Sequence, residues 1–174
     1  MREFSDDELI ATAEQYRPTM EKLLWETQRD RKERGFRVCY DVEEGKPYTQ
    51  EICVGEECGV PMKPCPHGLM TFHTHPPGGG WVPSPGDVVN GFGAGDLLEC
   101  VGAVRSRRAK TGGVACYRLN KNFDEIEEFL RTWMAGQYSP EFRYSDIITD
   151  MMAEAMFKPT EHTLFRKVKS WELG

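Results

Sequence analysis

In FHTHPPGGGWVPSPGD, residues 72–87, a strand ends and a helix begins. The residues LMTFHTH alternate with period two, so Leu69, Thr71, His73 and His75 share one face of a strand. Beyond the loop PPGGGWVP, Ser84 is a natural N-cap, Pro85 suits a first helical position and Asp87 falls at the third. A short helix through Val88, Val89 and Phe92 is expected to follow.

Imidazoles two apart on a strand point the same way, so His73 and His75 can bind one ion without distorting the backbone. Asp87, twelve residues beyond His75, adds a carboxylate if the glycine loop folds back over the strand end. Two His and one Asp, with a fourth position left to water, is a donor set expected of a catalytic rather than a structural zinc site.

Upstream, SDDE at 5–8 has the form of a capping box, and Leu9, Ile10, Ala13 and Tyr16 recur at helical spacing. Pro18 predicts a break near Arg17, with a second helix burying Met20, Leu23 and Leu24. From Phe36 the period becomes two: Phe36, Val38, Tyr40 and Val42 alternate with Arg37, Cys39 and Asp41, as in a half-buried strand. EEGKP is its turn, and Tyr48, Gln50, Ile52 and Val54 form an antiparallel partner.

Downstream, LLECVGAVRS and GVACYRL are two further strands around RRAKTGG. NFDEIEEFLRTWMAG and YSDIITDMMAEAMF have the pattern of amphipathic helices. The fold class expected is α/β, a mixed central sheet flanked by helices, with residues 1–120 as the core and 121–174 as a C-terminal helical extension packed on it.

The 174 residues carry 39% hydrophobic side chains, four Trp, nine Phe and six Tyr, enough for a real core and too many for a disordered chain. A net charge of -6 argues against a nucleic-acid-binding surface. The basic clusters VRSRRAK and FRKVKS are taken as solvated turns or tails. No apolar run is long enough to span a bilayer, and MREFSDDELI lacks the order of a secretion signal, so a cytoplasmic protein is expected. In a reducing compartment the six cysteines are expected as separate thiols more often than disulfides, with Cys53, Cys58, Cys65 and His67 offering a poorly spaced second metal site.

The set His73-Thr-His75-Pro76, then Ser84 and Asp87, resembles the signature of the JAMM metalloproteases, the MPN+ or JAB1/MPN domain: an upstream Glu, H-[ST]-H-P, then S-x-x-D. The order of helix, hairpin and histidine strand is also similar, over roughly residues 18–120, although the loop before Ser84 is one residue longer than usual. The resemblance implies a JAB/MPN, cytidine-deaminase-like sandwich and a zinc-dependent peptidase or isopeptidase. His73, His75 and Asp87 would hold Zn2+, Ser84 would support the oxyanion, and a Glu would be the acid/base. That Glu sits before a Gly at the start of the first strand, which nominates Glu33 in ERGFRVCY ahead of Glu51, Glu56 and Glu57.

The substrate implied is a ubiquitin-like or carrier protein with a glycine tail. Two other readings keep the site: an amide hydrolase acting on a small molecule or a sulfur-carrier protein, and a catalytically silent, metal-stabilised scaffold. The C-terminal helices are candidates for a homodimer contact. A nucleobase deaminase is excluded because H-x-E with P-C-x-x-C is missing, and no helical H-E-x-x-H is present.

Overall fold

The computed structural model describes residues 3–55, 65–77, 83, 85–105, 111–120, 123–124, 127 and 165–173. Helix α1 spans Asp6–Asp30 and β1 Arg34–Asp41, followed by β2 Lys46–Thr49 and β3 Cys53–Val54. Then come β4 Gly68–His75, α2 Pro85–Gly91 with a 3-10 turn at Phe92–Ala94, β5 Leu98–Ala103, β6 Gly113–Leu119 and β7 Phe165–Glu172. The class is mixed α/β, as expected.

The capping box forms as the sequence predicts: Glu8 N–H donates to Ser5 Oγ, and Ser5 N–H to the Glu8 carboxylate at 2.8 Å. The break at Pro18 does not occur, and α1 runs through it as one helix. Leu9, Ala13, Met20, Leu23, Leu24 and Thr27 form a single buried stripe, while Pro18 is exposed on the opposite side. A proline inside a helix costs about 3 kcal/mol, but burying a Leu or Met side chain gains roughly 1.5–3 kcal/mol. Several such residues on both sides of Pro18 outweigh it. The helix stops at Arg31, which is left-handed (φ 65°) and donates its N–H to the Thr27 carbonyl at 2.7 Å.

The sheet has the order β2-β1-β4-β5-β6-β7, with β3 also paired to β1. All pairs are antiparallel except β4 with β5. One face packs on α1: Phe36 pairs with Phe72 and Val38 with Met70, and these join Leu98, Cys100, Leu9, Met20 and Leu24 in the core. The other face carries Gly35, Arg37, Thr71, His73, His75 and Glu99 by the same alternation.

That second face is the main correction to β1. Arg37 is only 1% exposed, so the strand is buried on both sides rather than half-buried. Alternation tells which residues share a face; it does not tell whether a later element will cover that face.

The basic segment FRKVKS is not a solvated tail. It forms β7, with Trp171 buried, and so residues beyond 120 add a strand to the core sheet. Its charges are used against α1: Arg166 donates to Asp6 at 2.8 Å, joined there by Arg118 of β6 at 2.6 Å, and Lys169 pairs with Glu14 at 3.3 Å. The Arg166 hydrogen bond holds the Asp6 carboxyl below its ordinary range, with burial opposing and Arg118 adding to it. Of the helices expected in the C-terminal segment only residues 123–124 and 127 are described, and these are helical; the rest, and with them the homodimer contact, lie outside the described residues.

The expectation of separate thiols is also overturned. Cys39 is bonded to Cys65 and Cys100 to Cys116, Cys53 is disulfide-bonded as well, and among the described residues no cysteine is free. Cys100 and Cys116 face one another across β5 and β6, a pairing set by strand register that sequence spacing does not reveal. Bonded sulfurs are not thiolate ligands, which removes Cys53 and Cys65 from a second metal site; Cys58 lies outside the described residues. Disulfides of this kind belong to oxidising surroundings or to intracellular proteins of hyperthermophiles. Among the described residues no helix is long and apolar enough to cross a membrane.

Because Pro18 is exposed and tolerated only through the stripe around it, Pro18→Ala is expected to stabilise the chain by about 2 kcal/mol, the helix gain less the added freedom of the unfolded chain. Urea unfolding reads this directly. A lower midpoint would show that α1 depends on the proline.

Candidate metal centre

β4 and β5 are parallel, so the chain between them must cross over one face of the sheet. That crossover carries α2. The carboxyl end of β4 supplies His73 and His75, and the first turn of α2 supplies Asp87. Sites at the carboxyl ends of strands beside a crossover are a recurring outcome of this topology.

The three side chains converge closely. His73 Nε2 lies 2.9 Å from His75 Nε2 and 2.9 Å from Asp87 Oδ2, and His75 Nε2 lies 3.1 Å from the same oxygen. The three therefore form a group that can hold a metal ion. Two donors about 2 Å from one tetrahedral ion stand roughly 3.3 Å apart, so a small inward-facing triangle of this size needs only slight opening to seat it. One proton shared among three lone pairs satisfies one edge of the triangle, whereas a divalent cation contacts all three atoms. The donor set of two imidazoles and a carboxylate suits a divalent metal ion.

Burial pushes the Asp87 carboxyl up, but His73 and His75 together outweigh it and hold the group far below the ordinary carboxylate range. It is thus available as an anion. Side-chain exposures of 14% for His73, 10% for His75 and 24% for Asp87 leave the group in contact with solvent, as a centre with an exchangeable fourth ligand requires.

Gly35 makes the approach of β1 possible. A Cβ there would lie 2.6 Å from the Phe72 carbonyl oxygen and 3.1 Å from His73 Cβ. Continuing the Gly35–His73 register by two residues sets Glu33 beside His75, and the Arg34 N–H donating to Thr74 Oγ1 at 2.9 Å holds the strands together there. Glu33 is half-buried, its carbonyl accepts from Gly55 N–H at 2.7 Å, and it is not one of the three grouped donors. Glu51 is exposed, while Glu56, Glu57 and Ser84 lie outside the described residues.

Sequence reasoning missed a polar layer under the site. Glu99 is 0% exposed, and among the described residues neither of its carboxylate oxygens has a hydrogen-bond partner. Burial raises its pKa well above the ordinary value, and Asp87 and Asp96 reinforce this against the opposing effect of Arg37. The available signal was a single Glu inside the apolar run LLECVGAV, on the same strand face as Val101.

Metal analysis is expected to find about one ion per chain, and little in His75→Ala or Asp87→Ala; equal metal in wild type and variants would remove the site. Glu99 provides a separate test. An acid whose pKa is raised by folding favours the fold below its ordinary value of 4.5, and that contribution is lost as pH rises toward the folded value. Metal-free Glu99→Gln should therefore melt several degrees above wild type at pH 7, with the gap closing near pH 4. A pH-independent gap would mean that ionisation of Glu99 is not the cause.

Neither a protein-family model, nor a curated protein, nor a solved structure matches this chain.

Proposed function

We propose that this chain is a zinc metallopeptidase of JAMM type with the corresponding JAB/MPN fold, hydrolysing an isopeptide or peptide bond. The observation that carries the proposal is the His73, His75 and Asp87 triangle, with its three donor atoms 2.9–3.1 Å apart at the end of a strand. Imidazole and carboxylate donors suit zinc. When bound, zinc would polarise the scissile carbonyl and bring the pKa of a water to about 7.

Glu33 is the proton carrier in this scheme. It takes the proton from the attacking water and returns it to the leaving amine, from a position just before β1 that the extended strand register supports. Ser84, the residue before Pro85 in the sequence, would donate a hydrogen bond to the oxyanion. His73 and His75 keep a fixed spacing because β4 is paired on both sides, by β1 and β5.

An extended substrate suits the neighbouring edge. β3 pairs with β1 next to Glu33, with Val54 opposite Arg34, and Ile52 and Val54 there are exposed apolar side chains. A glycine tail of a ubiquitin-like or carrier protein can lie along such an edge with main-chain hydrogen bonds and little steric cost.

Glu33→Gln is expected to retain zinc and its melting temperature while cleavage of a glycine-tailed ubiquitin-like substrate falls by about 10²–10⁴. Zinc content and single-turnover cleavage, measured on the same samples, separate the outcomes. Unchanged cleavage at full zinc occupancy would exclude Glu33 as the acid/base.

A further inference from the structure

Among the described residues Arg37 is one of the largest fully buried side chains, and it contacts two segments distant in sequence. Its Nε lies 3.1 Å from Asp96 Oδ2, and its Nη2 donates to the Asn90 carbonyl at 3.0 Å. Asn90 is in the last turn of α2, and Asp96 closes the segment that follows it. Asp96 is fixed in turn: its N–H donates to the Gly91 carbonyl at 3.1 Å, and its Oδ2 accepts from Thr71 Oγ1.

The positions of these contacts matter for the metal centre. Arg37 is paired with Thr71 and lies two residues from Gly35, the partner of His73. Asn90 is three residues from Asp87, which is roughly 4.5 Å along a helix axis. The guanidinium thus connects the sheet that carries the two histidines to the helix that carries the carboxylate. α2 is only seven residues long.

We propose that Arg37 is a positioning residue of the metal centre, holding α2 through Asn90 and Asp96 so that Asp87 meets His73 and His75. This rests on those three residues being the ligand set.

Packing alone does not explain the choice of residue. A buried ion pair is commonly replaceable by apolar residues with no loss of stability. What arginine supplies is a rigid planar fork that can meet two acceptors in fixed directions. Glu99 lies against the same helix, with its Oε2 2.6 Å from where a Cβ on Gly91 would be, so buried polar groups adjoin α2 alongside the buried Val88. Groups behind metal ligands commonly set ligand orientation, and losing one costs about 10–100-fold in affinity.

The test measures zinc affinity by competition with a chromophoric chelator, alongside melting of the metal-free chains and the visible spectrum of the Co2+ forms. The double variant Arg37→Met/Asp96→Asn removes both charges and keeps an acceptor for Thr71. It is expected to melt within a few degrees of wild type, to bind zinc about 10–100-fold more weakly, and to show a weakened tetrahedral Co2+ band. Arg37→Lys, a point charge in place of the fork, should fall between the two.

Wild-type affinity and spectrum in the folded double variant would overturn the proposal. If the double variant does not fold, Arg37→Lys decides, and wild-type affinity there overturns it. Wild-type protein that binds zinc no better than His75→Ala would instead overturn the ligand set itself, and this proposal with it.

Discussion

Parallel pairing of β4 with β5 is the constraint on which the site depends. Antiparallel neighbours can be joined by a tight turn, but parallel ones need a connection long enough to return across the sheet. Here that connection is residues 76–97, and it brings α2 over the face bearing the histidines. Without it Asp87 would have no reason to lie near His75, and Arg37, Thr71 and Glu99 would face water.

The two faces of the sheet answer to different physics. Toward α1 the requirement is volume: Phe36 and Phe72 pack with ring centroids 5.6 Å apart, and Gly102 is flat enough for Leu24 and Phe72 to close over it. Toward α2 the requirement is satisfied polarity, and it is met unevenly. Arg37 has its partners, whereas among the described residues Asp96 Oδ1 and both oxygens of Glu99 have none. Burial raises the Asp96 carboxyl despite Thr71 and Arg37. Such uneven satisfaction is costly to stability, and it concentrates beneath the three grouped donors.

Local rules made much of this legible. The alternation in LMTFHTH and the helix-start chemistry of SPGD were enough to aim His73, His75 and Asp87 at one another, because each rule acts over a few residues. Legibility failed where a distant element decided the outcome. Pro18 breaks a helix in isolation but not one whose buried stripe continues on both sides. Arg37 looked like a solvent-facing strand residue because its covering partner, Asp96, lies 59 positions away. The charges of FRKVKS looked solvated because their partners Asp6 and Glu14 lie at the other end of the chain. Cysteine pairing followed strand register, which spacing alone does not encode.

The disulfides bear on what the ion is for. Cys39–Cys65 ties β1 to the segment leading into β4, and Cys100–Cys116 ties β5 to β6, so cross-links flank the ligand-bearing strand on both sides. With sequence separations of 26 and 16, each removes roughly 3 kcal/mol of loop freedom from the unfolded chain. In small zinc modules the free energy of metal binding is itself the free energy of folding, and a chelator unfolds them. In this chain covalent bonds and a packed core do that work without an ion, so assembly of the three donors does not have to await a metal.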